Sequence, residues 1–315
     1  MGKLGSPWTR RCRSCSLVVV TRDPLRSSSE HPHSASAGLA LGTAAAACWG
    51  LGPVATKAAL AGFSPEILGV TRLAAAALCF RLLGGSGTRW LPGDAWSAFA
   101  GIALGVDFLL YNHGLRITTA AVAGLLVNFG QVSNIILAWL LLGEQLTARR
   151  ISGATLTLAG IGVVNTAGGD LDTGRLAGNL LVMLASVAWS IYAVAQRRAP
   201  RAGSVFQLLA PIFVVAALVG MLALLSPGAG HNPLGREPAT MLAVPIGACT
   251  IAPYVFYGHG QELLDVIVLT IVLASAPVFT VMFSWLILGE PIGWHVVAGG
   301  TVILAGILIV AIERR

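Results

Sequence analysis

Asp107 and Arg72 are ionisable residues set deep inside apolar stretches, and that placement demands a chemical reason. An ionised carboxylate at the centre of a bilayer costs about 2.5–3.5 kcal/mol on insertion scales, so it pairs, stays near water, or handles a proton or ligand. Both residues lie about eight positions from the same end of their apolar runs, roughly 12 Å deep at ~1.5 Å per helical residue. Equal depth predicts an ion pair if the two helices touch, with a proton or substrate site as the alternative. Lys57 lies nearer the end of its run, where a long side chain snorkels to the interface.

Amides supply a second chemistry. Asn128, Gln131 and Asn134 recur every third residue on an otherwise apolar segment, with Ser133 beside them. Amides inside a span face other helices or a cavity, so the strip reads either as interhelical glue or as contact with a substrate. Trp49 and Trp189 stand near mid-span, where an indole N–H needs a partner. They pack a core or line a central cavity. Trp49, Asn128, Gln131, Asn134 and Trp189 share an approximate depth and form the candidate substrate-binding set. His113 and His259 sit in the related strings YNHG and YGHG. They read as interfacial residues or as paired gate or proton groups. Asp107, Arg72, His113 and His259 are thus the proton and ion-pair candidates. Trp139, Trp285, Tyr111 and Tyr257 fit an aromatic belt. No motif implies a cofactor or metal: Cys12 and Cys15 form one isolated C-x-x-C, short of a four-ligand zinc site. Cys48, Cys79 and Cys249 lie in apolar runs as small hydrophobes.

The elements that must position these groups follow from composition. The chain is 56% hydrophobic and only 10% charged, against about 25% charged in soluble domains. Ten apolar stretches of spanning length recur, at 39–61, 64–83, 93–115, 118–142, 149–168, 175–197, 203–226, 239–262, 265–288 and 292–312. The net charge of +7 is scattered through loops and tail rather than gathered into a nucleic-acid patch. Of 20 Lys and Arg, Lys57 and Arg72 lie within spans and Arg116, Arg175 and Arg236 on the side opposite the N-terminus, leaving 15 on its own side. The positive-inside rule then predicts both termini in the cytoplasm and an even number of spans. Residues 1–38 read as a disordered basic cytoplasmic tail. Its "MGKLGS" fits a myristoylation pattern that a multi-pass chain does not need.

A repeat organises the spans. "AWLLLGEQL" at 138–146 returns as "SWLILGEPI" at 284–292, an offset of 146 shared by Trp139 and Trp285, Gly153 and Gly299, and Gly160 and Gly306. A looser offset of 140 relates "CWG" at 48–50 to "AWS" at 188–190. Residues 39–168 and 175–312 are therefore two copies of a five-span unit. Five is odd, so the second copy runs upside down, an inverted repeat typical of secondary transporters. The predicted fold is an all-α integral membrane protein of ten helices in two inverted five-helix repeats. In each "LGE" the Gly ends one helix in a left-handed cap, and Glu144 or Glu290 sits at the positive start of the next, with Pro291 at its first position; the two glutamates read as structural corners, with a gating role as the alternative. The Gly pairs spaced by seven permit close helix packing.

Two five-span repeats, each closing on an "LGE" corner and a Gly-spaced last helix, resemble the drug/metabolite transporter superfamily, EamA-type branch, over roughly 39–312. The resemblance implies a ten-helix carrier, often an exporter, of a small metabolite across the inner or plasma membrane. Its frequent Pro in the fourth helix of each repeat is kept at Pro277, while the first copy has Gln131. The expected function is secondary transport of a small metabolite or amino-acid-like compound by alternating access, with proton coupling through Asp107 a further option. The expected partners are that small molecule and membrane lipid, with no nucleic acid. An integral membrane enzyme is the alternative. It lacks an H-E-x-x-H, an Asp-rich motif or a Ser–His pair, and no P-loop supports an ATP-driven pump.

Overall fold

The computed structural model describes residues 32–143, 145–166, 173–200, 203–225, 239–264 and 266–311. Residues 1–31 of the predicted tail, with Cys12 and Cys15, and the corner residue Glu144 lie outside them. The regular elements among the described residues are all helices: α1 (Pro32–Ala59), α2 (Pro65–Leu83), α3 (Ala95–Ile117), α4 (Ala120–Leu126), α5 (Phe129–Leu142), α6 (Ala148–Thr166), α7 (Thr173–Arg198) and α8 (Val205–Ala223). A 3₁₀ turn (Ala239–Leu242) and a π-helix (Val244–Ile251) lead into α9 (Ala252–Leu263), followed by α10 (Val266–Leu273), α11 (Ala276–Leu288) and α12 (Trp294–Ala311). Helix α1 begins inside the predicted tail. Seven helices among the described residues are long and apolar enough to cross a membrane.

Local chemistry sets the boundaries. Ser64 caps α2 by accepting from the Ile67 N–H, with Pro65 at the first turn where its missing N–H costs nothing. Asp94 caps α3, accepting from the Ser97 N–H at 2.9 Å and the Ser97 hydroxyl at 2.7 Å. Partial burial raises its pKa, but these bonds outweigh that and hold it below the ordinary value. Gly143 and Gly289 end α5 and α11 at φ of 70° and 65°, the left-handed region that admits glycine at no steric cost.

Three predicted spans prove irregular. The fourth and ninth break, at 127–128 between α4 and α5 and at 274–275 between α10 and α11. A break frees carbonyls that lipid cannot satisfy, so a local side chain takes them. The Asn128 amide donates to the Gly124 and Leu125 carbonyls, and the Ser275 hydroxyl to the Val272 carbonyl at 2.6 Å. The eighth, predicted as one helix over 239–262, widens into a π-helix before Pro253. Proline has no N–H and its ring crowds the carbonyl four residues back, and a π-turn absorbs the mismatch.

Helix packing largely repeats on exchange of the halves. Helix α3 packs on α7 as α9 packs on α1, and α5 on α7 as α11 on α1, while α2–α8 and α6–α12 join equivalent helices. The glycine pairs meet across α6–α12: a Cβ on Gly160 would fall 2.6 Å from the Gly299 carbonyl oxygen, and one on Gly306 2.6 Å from that of Gly153. One feature does not repeat. Helix α4 packs against α11, and a Cβ on Gly124 would lie 2.8 Å from the Thr280 Cβ. The counterparts α5 and α10, at the other end of the bundle, make no comparable contact among the described residues, nor do α7 and α10 as α1 and α4 do.

Candidate functional site

The closed end of the bundle is held by charge set against helix termini. Lys57 on α1 donates to the Leu115 and Thr118 carbonyls that end α3. It is anchored there rather than snorkelling. Glu290 does not start the following helix as predicted, because α12 begins only at Trp294 and Pro291 precedes it. Its carboxylate instead crosses to the other half, accepting from the Ala120 N–H at 2.8 Å and the Ala121 N–H at 3.1 Å, and from the Ser284 hydroxyl. Thr119 accepts from the Val122 N–H. The first donors of the short α4 are thus satisfied, two of them by a buried anion at the positive helix end. Nearby, Thr118 donates to Asn179, whose amide donates to Asn165 at 2.7 Å.

Deeper in the bundle lies an aromatic cluster drawn from both halves. Trp49 packs on Tyr254 and Tyr257, each at 5.8 Å between ring centres. Tyr254 also meets Phe80 and Phe213 edge-on, at 5.7 and 5.6 Å. Trp189 packs on Tyr192 at 5.0 Å, and Tyr192 interacts side chain to side chain with Tyr254 and Gln196. The two candidate tryptophans therefore join one aromatic assembly. Tyr111 and Tyr257, expected at a belt, are half-buried.

Arg72 sits beside this cluster and is 6% exposed. Its Nε donates to the Thr250 hydroxyl at 2.9 Å and its Nη1 to the Thr56 hydroxyl at 2.8 Å, while Phe108 lies 4.9 Å beneath the guanidinium carbon. The Thr250 hydroxyl itself donates to the Pro245 carbonyl at 2.6 Å within the π-helix. The distorted helix of the second half thereby presents an acceptor to the first half's cation. The predicted ion pair does not form: no Arg72 nitrogen comes within 4 Å of an Asp107 oxygen. Asp107 is half-buried, accepts no hydrogen bond from a described residue, and acts electrostatically on Arg72, Tyr111, Tyr192 and Tyr254.

The remaining candidates disperse. Asn128 spends its amide N–H groups on the break before α5, Gln131 is exposed and Asn134 half-buried. The counterpart positions on α11, Pro277 and Thr280, are buried against the closed end. His113 is exposed and pairs with Glu66 at 3.0 Å, while exposed His259 bonds the Val255 carbonyl of its own helix at 2.8 Å. Sequence reasoning missed Thr56, Phe108, Tyr192, Thr250 and Tyr254. Phe108 and Tyr254 stand at the repeat offset of 146, so an aromatic in both copies was a readable signal.

Comparison with known proteins bears on this arrangement as a whole. The sequence matches the EamA-like transporter family over residues 36–166 and again over 176–312. It is 27% identical over 257 residues, 80% of this chain and 83% of the relative, to an uncharacterized transporter, YdfC, of Bacillus subtilis. It is 27% identical over 194 residues, 61% of this chain and 66% of the relative, to the aromatic amino acid exporter YddG of Ancylobacter novellus. One solved crystal structure shares the fold at a TM-score of 0.59 with 21% identity, covering 87% of this chain and 95% of the other.

Proposed function

The chain belongs to the EamA-like transporter family, and from that premise we propose that it exports a small metabolite or amino-acid-like compound across the cytoplasmic membrane by alternating access. The family is one of transporters, which sets aside the membrane-enzyme alternative. The proposed frame is ten spans in two inverted copies, with both termini in the cytoplasm and the Lys57 end outside. The observation that carries the reading is the asymmetry of two repeat-related ends: α4 meets α11 at one, while α5 and α10 stay apart at the other. A carrier that exposes its site alternately to two sides needs two such ends that close in turn. On this proposed orientation the α4–α11 contact would be the outer closure of an inward-facing carrier.

The substrate binds between the copies, with Trp49 and Trp189 as aromatic walls. Gln131 and Asn134 line the cytoplasmic approach, and Asn128 holds the hinge between α4 and α5. Kinship with an aromatic amino acid exporter supports a flat, apolar group on the substrate. Asp107 is the proposed coupling group if a proton is exchanged. Purified protein in liposomes, loaded with a mixture of the twenty L-amino acids and given an imposed pH gradient, is the test. The expected result is efflux of a subset of the mixture, accelerated by the gradient. Efflux no faster than from empty liposomes would overturn the amino-acid reading, and efflux indifferent to the gradient would remove proton coupling.

A further inference from the structure

Three charged groups at the Lys57 end are consumed by the fold: Lys57 by carbonyls ending α3, Glu290 by amides opening α4, Glu66 by His113. Arg72 and Asp107 are not. Arg72 donates to two neutral hydroxyls, which satisfy Nε and one hydrogen of Nη1 but leave its charge uncompensated, and Nη2 donates to no described residue. A guanidinium held this way still presents the Nη1–Nη2 edge that matches a carboxylate. Asp107 accepts no hydrogen bond from a described residue and stays beyond 4 Å of the cation, although Phe108, the next residue on α3, lies directly beneath the guanidinium.

Opposite charges that are close yet unjoined in a low-dielectric site are costly, and neither Arg72 Nη2 nor the Asp107 oxygens are sealed from solvent, so both stay within reach of a ligand. Direct pairing would relieve that cost, yet the fold fastens the guanidinium to Thr56 on α1 and Thr250 of the π-helix. Resting on the transporter reading above, we propose that Arg72 and Asp107 are the two poles of a binding site for a zwitterion. The ligand's carboxylate lies on the Arg72 Nη edge, and its ammonium lies against Asp107. The apolar group meets the aromatic assembly around Trp49 and Tyr254, whose ring faces also favour a neighbouring cation. Each ligand pole then gives one protein charge the partner it lacks among the described residues, and a molecule with one pole leaves the other charge unpaired.

The test compares three mixtures in liposomes carrying the full chain: L-amino acids, the amines made from them by decarboxylation, and the acids made by deamination. Wild type should move the zwitterions about tenfold or more faster than either single-charge class, the ratio expected when one charge-assisted contact is lost. Arg72→Gln should lose the zwitterion preference and favour amines, and Asp107→Asn should favour acids. Should either variant fail to insert, thermal unfolding of detergent-purified wild type decides: zwitterions should raise Tm while the matched amines and acids do not. A wild type that moves amines or acids as fast as zwitterions would overturn the two-pole site and leave the transporter reading standing. A protein that moves no solute of any class would overturn both.

Discussion

The two ends of this bundle are built from the same sequence unit and do different things. At the Lys57 end, α4 lies on α11 with Gly124 against Thr280, and Glu290 reaches across the halves to the first amides of α4. At the other end, the matching positions are 270 on α10 and Asn134 on α5, and those helices make no comparable contact among the described residues. Burial follows the difference: Thr280 is 2% exposed, whereas Asn134 is half-buried and Gln131 open. A fold with two equivalent ends, one shut and one not, holds both arrangements within one sequence. On the transport reading proposed above, the polar strip on α5 is the face that would be covered on closure of its own end.

The largest effect is expected from locking that difference. In a background with the native cysteines replaced, Gly124→Cys with Thr280→Cys should form a disulfide under mild oxidation. The bond should abolish flux until a reductant is added, because closure of this end becomes permanent. Asn134→Cys with Thr270→Cys should cross-link only in molecules whose first pair is open. With all four cysteines present, the two bonds should exclude each other. Efficient formation of both in one molecule would show that the ends close independently, and the comparison would fail.

A smaller effect tests what holds the shut end. Glu290→Ala strands two buried amide donors on α4, which predicts a loss of about 2–4 kcal/mol, read as a lower Tm in detergent. It should also raise labelling of a Thr280→Cys reporter by an impermeant thiol reagent as α4 and α11 part. Glu290→Gln keeps one acceptor oxygen and should fall between. An unchanged Tm with unchanged labelling would mean that the carboxylate does not secure this end.

Much of this could be read from the sequence, and what could not has a physical cause. The duplicated "LGE" marked both helix ends, because only glycine enters the left-handed region without strain, and Gly143 and Gly289 do so. The partner of Glu290 was illegible: α4 is about 170 positions away, and nothing in the string records which helix end an anion will meet. The depth of Arg72 and Asp107 was estimated from helical rise, but rotation about the helix axis decides contact, and two threonine hydroxyls stand where the carboxylate was expected. The breaks at Asn128 and Ser275 sit in apolar runs where every face is hydrophobic, so no period marks an interruption. The π-helix did leave a trace, since Pro245 and Pro253 both fall inside one predicted span.

The smallest effect concerns the seam that both ends share. Helices α6 and α12 are repeat counterparts packed on each other, so a change there should weaken the protein without choosing an end. Gly160→Ala would place a Cβ 2.6 Å from the Gly299 carbonyl oxygen and 2.7 Å from Ile303 Cγ1. Backbone cannot yield as a side-chain tip can, so the helices must separate, at a cost of about 1–3 kcal/mol. Two residues further along α6, Gly162 supplies the control: nothing lies within 4 Å of a Cβ built there, so Gly162→Ala removes only backbone freedom from a helix interior. It should stabilise by about 0.5–1 kcal/mol. Tm measured on both variants should move in opposite directions, and the Thr280→Cys reporter should label as in the parent in each. If Gly160→Ala instead changed that labelling, the seam would be part of the device that selects which end is shut, and the two ends could no longer be treated as independent of the axis between them.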